Sequence, residues 1–98
     1  MADLYDRLTA SDSSKIPVHA FSCALREWSR GAITKAQVVS AFSLQATESS
    51  NLDSMASTYL AKPNQDAKDD YLVKIQDVFI LCESGFYTKT KAKTELGF

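Results

Sequence analysis

Few side chains in this sequence are suited to catalysis, and they are scattered. His19 is the only histidine, and we find no cysteine or serine at a spacing from it that suggests a nucleophile and its base. Cys23 and Cys82 lie in predicted helix interiors, and two distant cysteines are too few for a zinc site or a disulfide framework. This use of cysteine fits a reducing compartment. The sequence therefore predicts a protein that is not an enzyme, with no cofactor and no small-molecule substrate.

Three aspartates near one helix start raise the question of a cation site. They are Asp66, Asp69 and Asp70. Carboxylates in a first helical turn are stabilised by capping and by the positive end of the helix dipole, which explains them without an ion. The two glycine-threonine segments described below also lack the several oxygen ligands that calcium requires. We therefore predict no bound metal.

Three lysines near the C-terminus form the densest basic patch of a chain with eleven basic residues, twelve acidic residues and a formal charge of −1. They are Lys89, Lys91 and Lys93. Such a patch can contact phosphates, but it is more often a solvated helix face, and neither arginine nor aromatic residues are interleaved with it. Nucleic-acid contact is therefore not the favoured interpretation. A small regulatory protein that contacts DNA through this patch stays the alternative function.

The length and the apolar pattern predict a single all-α domain spanning residues 1–98. Ninety-eight residues, 45% of them apolar, suffice for one modest core. Apolar residues recur at helical spacing without sustained alternation, so we expect a compact bundle of about five helices. No apolar run approaches the roughly 18 residues that span a bilayer, and the N-terminus does not resemble a secretion signal. We expect a protein that is neither membrane-bound nor exported.

The N-terminal segment can belong to this bundle or extend from it. Asp3–Leu8 predicts a short helix, and the polar stretch TASDSSK follows. This periodic segment is too short to decide between the two arrangements. Residues 1–14 are therefore a candidate N-terminal arm that packs either on its own bundle or on a neighbour.

The same connection between two helices, a glycine followed three residues later by a threonine, occurs twice in the chain. Gly31 precedes Thr34, and Gly85 precedes Thr88, so each glycine is expected to end one helix and each threonine to cap the next. We name residues 31–34 the first corner and residues 85–88 the second corner. The apolar faces ahead of the two glycines also align: Val18 with Leu72, Phe21 with Ile75, Leu25 with Phe79, and Trp28 with Cys82. Convergence is the simpler explanation of this match, and duplication stays open.

The remaining helix ends have less distinctive signals. We expect Thr47 and Asp66 to cap the helices that begin near them, and Pro63 to end the helix between. The apolar face of that helix comprises Leu52, Met55, Ala56, Tyr59 and Leu60. Phe86, directly after its glycine, is expected to fold back on Leu81.

Four aromatic residues are candidates for a protein interface, because aromatic side chains supply much of the contact energy at such places. They are Trp28, Phe86, Tyr87 and Phe98. Core packing is the favoured interpretation for Trp28, which lies on an apolar stripe. For the terminal Phe98, a contact outside the bundle is at least as well supported.

Three stretches together resemble small helical proteins encoded among the virion genes of tailed bacteriophages. The stretches are EWSRGAITKAQVVSAFSL, NLDSMASTYLA and GFYTKTKAKTELGF. The matching positions are Trp28, Gly31, Thr34, Gln37, Phe42, Leu44, Leu52, Asp53, Tyr59, residues 85–88 and the final Leu-Gly-Phe. The resemblance covers the last three-quarters of the chain.

The resemblance implies a non-enzymatic structural or assembly protein of a virus particle. It implies a head-surface, neck or tail component that is assembled in the host cytoplasm and contacts other virion proteins and copies of itself. It transfers no catalytic residue and does not separate head from tail.

Overall fold

A computed structural model describes residues 3–98, and all regular structure in this range is helical. The six helices are α1 (Leu4–Thr9), α2 (Val18–Ser29), α3 (Lys35–Phe42), α4 (Ala46–Leu60), α5 (Gln65–Glu83) and α6 (Lys89–Glu95). The all-α prediction is confirmed for the described residues. There are six helices rather than about five, and the two short terminal helices that the sequence predicted are among them.

The longest helix, α5, is the centre of the bundle. It contacts α1, α2, α4 and α6, while α3 joins the bundle through α2. Buried side chains from all six helices form one apolar cluster, within a globule whose radius of gyration is 12.6 Å. Each helix therefore buries one stripe against its neighbours, as amphipathic helices of a small domain must.

The first helix packs on its own chain. Leu4, Tyr5 and Leu8 are buried in the core, and α1 contacts α4, α5 and α6. The Tyr5 ring lies 6.3 Å from the Phe79 ring and 6.1 Å from the Phe98 ring, measured between centroids. Burial in this aromatic group raises the pKa of Tyr5 to about 12. The described part of the candidate arm thus contributes directly to the core.

A largely buried ion pair attaches α1 to the middle of the chain. Arg7 donates to Glu48 at 2.9 Å, and their side chains are only 18% and 3% exposed. The same guanidinium donates to the carbonyl oxygens of Ser14 at 3.0 Å and Phe42 at 2.9 Å. It therefore neutralises a buried carboxylate and supplies donors to the carbonyl end of α3.

The start of α4 differs from the sequence-based prediction. The helix begins at Ala46, so Thr47 lies inside the first turn and is not its cap. Instead, Glu48 accepts a hydrogen bond from the backbone N–H of Gln45 at 2.9 Å. The same carboxylate therefore serves both this helix start and the ion pair with Arg7.

The start of α5 also differs, by two residues. Asn64 is the cap, and its Oδ1 accepts from the Ala67 N–H at 2.8 Å, so the prediction that Asp66 caps this helix was wrong. At the preceding helix end, Leu60 is exposed rather than buried. Tyr59 in the same turn is buried, so Leu60 lies on the outward side of α4.

Candidate interaction surface

The two corners have the same backbone geometry. Gly31 has φ of +76° and Gly85 has φ of +83°, a left-handed conformation that side chains with a Cβ rarely adopt. In each corner the residue after the glycine donates its N–H to the carbonyl five residues earlier, at 3.0 Å for Ala32 and 2.9 Å for Phe86. These bonds satisfy carbonyl groups that would otherwise be free at the helix end.

Both threonines cap the helices that follow. Thr34 Oγ1 accepts from the Gln37 N–H at 3.2 Å, and Thr88 Oγ1 accepts from the Lys91 N–H at 3.1 Å. The first corner adds a reciprocal bond, because Gln37 Oε1 accepts from the Thr34 N–H at 2.8 Å. Lys91 has no acceptor to offer, so the second corner makes only the threonine bond.

The side chain that follows each glycine is the clearest difference between the corners. Ala32 occupies this position in the first corner, and Phe86 occupies it in the second. The Phe86 side chain is 78% exposed, so it does not fold back on Leu81 as the sequence suggested. Since the first corner closes in the same way around an alanine, the fold does not need an aromatic ring at this position.

The rings of the other three aromatic candidates already make contacts within the chain. Trp28 and Tyr87 are half-buried and pack against the core. Lys91 Nζ lies 5.6 Å from the centre of the Tyr87 ring, within the range of a cation–π contact. The Phe98 ring packs beside Tyr5, which gives it a partner inside the bundle. Phe86 is therefore the one of the four whose ring is mostly free.

All three lysines of the basic patch on α6 contact side chains of the same chain, and two of them contact carboxylates. Lys89 Nζ lies 2.9 Å from Asp6 and 3.5 Å from Asp3. Lys91 pairs with Glu95 at 2.9 Å, and Lys93 Nζ lies 5.2 Å from the centre of the Tyr5 ring, over its face. Carboxylates beside two of the three lysines weaken the positive potential that a phosphate backbone requires.

His19 has a cysteine neighbour that the sequence analysis did not predict. Cys23 lies one helical turn after His19, and its Sγ is 3.7 Å from His19 Nε2. The expectation that no cysteine stands at a relevant spacing was therefore wrong, since residues four apart share a helix face. His19 is exposed and Cys23 is half-buried. Catalysis by such a pair also needs a group that orients the imidazole, and within residues 3–98 the Cys23 thiol is the one hydrogen-bonding partner of the His19 ring.

An open cleft of about 480 Å³ lies between α4, α5 and α6. Tyr71 borders it and donates a hydrogen bond to the carbonyl of Leu96 at 3.0 Å. Burial raises the pKa of Tyr71 to about 12, so this phenol stays protonated at neutral pH. Lys62 lies over the same ring, 4.7 Å from its centre. These side chains hold the walls of the cleft together and do not form an acid–base pair.

The described residues contain neither a cluster of metal-ligating side chains nor a helix that could cross a membrane. Within residues 3–98, no three His, Cys, Asp or Glu side chains gather closely enough to hold a metal ion. No helix in the described range is long and apolar enough to cross a membrane. No family model, curated protein or solved structure matches this chain.

Proposed function

We propose that this chain is a non-enzymatic structural or assembly protein of a tailed-bacteriophage particle, which binds other virion proteins and copies of itself. The virion setting rests on the resemblance described in the sequence analysis. The mode of action rests on one observation, which is that Phe86 is 78% exposed at a corner whose counterpart carries alanine. A large exposed aromatic ring that the fold does not need is typical of a protein contact.

The backbone around Phe86 supports this proposal. The residue is held between the glycine bend on one side and the Thr88 cap on the other. A side chain on a fixed backbone loses little conformational entropy when it enters a partner's pocket. We therefore propose that the second corner presents the binding ring, whereas the first corner only joins two helices.

The proposal can be tested by co-sedimentation with the proteins encoded beside the gene for this chain. We expect the wild-type protein to sediment with at least one of them, and the Phe86→Ala variant to lose this association. The substitution copies the residue at the matched position in the first corner, so folding should be unchanged. Leu60→Ala provides a matched control, since Leu60 is an exposed apolar residue at the end of α4, outside the second corner.

Two results would contradict the proposal. One is a wild-type protein that stays monomeric and associates with none of these proteins. The other is a salt-sensitive shift of duplex DNA that disappears when the three α6 lysines become alanine, because this would favour the DNA-contacting alternative.

A further inference from the structure

The outward face of α5 combines aliphatic and acidic side chains. Val73 and Ile80 are 54% and 49% exposed, and residues seven apart lie on the same side of a helix. We call this surface the outer face of α5. It comprises Asp66, Asp69, Asp70, Val73, Asp77 and Ile80, all of which are exposed.

The two aliphatic residues are not needed by the fold. α2 leads into the first corner as α5 leads into the second, and its matched positions hold His19 and Arg26. The buried face of α5 already makes the contacts with α1, α2, α4 and α6. Val73 and Ile80 therefore add apolar surface that these four contacts leave uncovered.

The charge around these residues indicates what can cover them. None of the four aspartates forms an ion pair with another described residue. This contrasts with Lys89 and Lys91, which both have carboxylate partners. Lys74 stands beside the outer face, also without an ion pair, and offsets one of the four negative charges. The outer face thus keeps a net negative charge and would repel the same face of a second copy.

We propose that the outer face of α5 binds a basic amphipathic helix of another protein. Such a helix would place its apolar stripe on Val73 and Ile80 and its lysine or arginine side chains beside the aspartates. From Asp66 to Ile80 the face is about 21 Å long at 1.5 Å per residue, enough for a partner helix of about four turns. The proposal rests on the proposed function, because it names the chemistry of one protein partner.

The test uses the full chain and two synthetic peptides of about 15 residues. One peptide has leucine on one face and lysine on the other, and the control peptide has glutamate in place of lysine. Methyl NMR signals of Val73 and Ile80 report binding at the face, and those of the buried Val38 report distant effects. We expect the lysine peptide to shift only the outer-face signals, and the glutamate peptide to shift none.

Variants of the chain locate the two parts of the interaction. Val73→Gln with Ile80→Gln should weaken peptide binding at least about fivefold by removing the apolar contact. Asp69→Asn with Asp77→Asn should do the same by removing charge, while Glu27→Gln with Asp53→Asn serves as a charge-matched control on other helices. Raising the ionic strength from about 0.01 M to about 0.15 M, which shortens the screening length from about 30 Å to about 8 Å, should also weaken binding.

The outcomes separate this inference from the proposed function. Three results would overturn the helix-binding inference. They are NMR shifts away from the outer face, equal effects of the two double variants that remove carboxylate charge, and no NMR shift at all. If co-sedimentation through Phe86 is still observed in that case, the proposed function stands and only the partner chemistry is wrong. If neither is observed, both are overturned.

Discussion

Replacement of Arg7 by methionine is expected to destabilise this protein more than the substitution of an exposed residue such as Lys35. The arginine is the only cation within 4 Å of Glu48 among the described residues, and that carboxylate is 3% exposed. Methionine keeps most of the apolar stem and removes the charge and the hydrogen-bond donors. The change therefore isolates the polar contribution of one side chain.

The expected cost follows from the contacts that are lost. Breaking a buried ion pair by removing one partner typically costs about 3–5 kcal/mol, because the other charge stays buried without compensation. The carbonyls of Phe42 and Ser14 also lose their charged donor. The total is a large part of the roughly 5–15 kcal/mol that stabilises a small domain. We therefore expect the Arg7→Met variant to lose about 3–5 kcal/mol.

A double-mutant cycle measured by urea unfolding and circular dichroism tests this account. Glu48→Gln should cost about 1–2 kcal/mol, since the amide oxygen can still accept from the Gln45 N–H. The double variant should then cost about 2 kcal/mol less than the sum of the single changes, because the two groups interact directly. Lys35→Met provides the control. Its pair with Asp53 is exposed, and such pairs contribute about 0–1 kcal/mol.

Equal costs for Arg7→Met and Lys35→Met would refute the reasoning. That result would mean that Glu48 regains water when the arginine is removed, so that α1 is held by its apolar side chains alone. An additive double-mutant cycle would lead to the same conclusion.

Three further predictions concern the corners and the contact between α1 and α6. Gly31→Val should lower the free energy of unfolding by about 1–2 kcal/mol. The loss comes from backbone strain alone, because no atom lies within 4 Å of an added Cβ, and an unchanged melting temperature would contradict this. Thr34→Ala and Thr88→Ala should each cost about 1 kcal/mol as lost caps, with the larger loss at Thr34 because the reciprocal bond from its own N–H is weakened as well. The pKa of Asp6 is lowered, mainly by the hydrogen bond that it accepts from the Asp3 N–H and next by the ammonium of Lys89. The hydrogen bond with Asp6 in turn raises the pKa of Lys89. The stabilisation by Asp6 is therefore fully present above the ordinary carboxyl pKa of about 4, and it is lost as the pH falls through the lowered pKa of Asp6. The stabilisation by Lys89 is fully present below the ordinary lysine pKa of about 10.4, and it is lost as the pH rises through the raised pKa of Lys89. Wild type and Lys89→Met should thus differ in urea midpoint at pH 7 and converge in acid, and a difference that persists below the carboxyl range would contradict this pairing.

Local sequence patterns predicted the helices and the two corners better than the contacts between them. The glycine positions and Thr34 follow from rules that act within a few residues. The Arg7–Glu48 pair joins residues 41 apart in the chain, and no local pattern signals it. It follows only from the way α1 folds against α4.

The misplaced start of α5 lies in a run of polar residues. Asn64 and Asp66 can each cap the first turn of α5, and in the structure Asn64 is the cap. The sequence could not rank these two residues, because asparagine and aspartate have similar capping preferences.

The candidate surface was only partly predictable. Phe86 was identified by its aromatic type, but its exposure depends on the left-handed bend at Gly85. Val73 and Ile80 were missed because they lie off the apolar stripe that defined α5. Apolar residues on the polar side of an otherwise regular helix are a signal that a sequence analysis can use.

Hydrogen exchange, measured on the protein in complex with the virion protein that co-sediments with it, tests the central claim most directly. The claim is that the second corner is the contact surface. We expect the backbone amides of residues 84–88 to exchange more slowly in the complex than in the free protein, while those of the first corner stay the same. A complex in which residues 84–88 exchange at the free rate, and protection arises elsewhere, would contradict it.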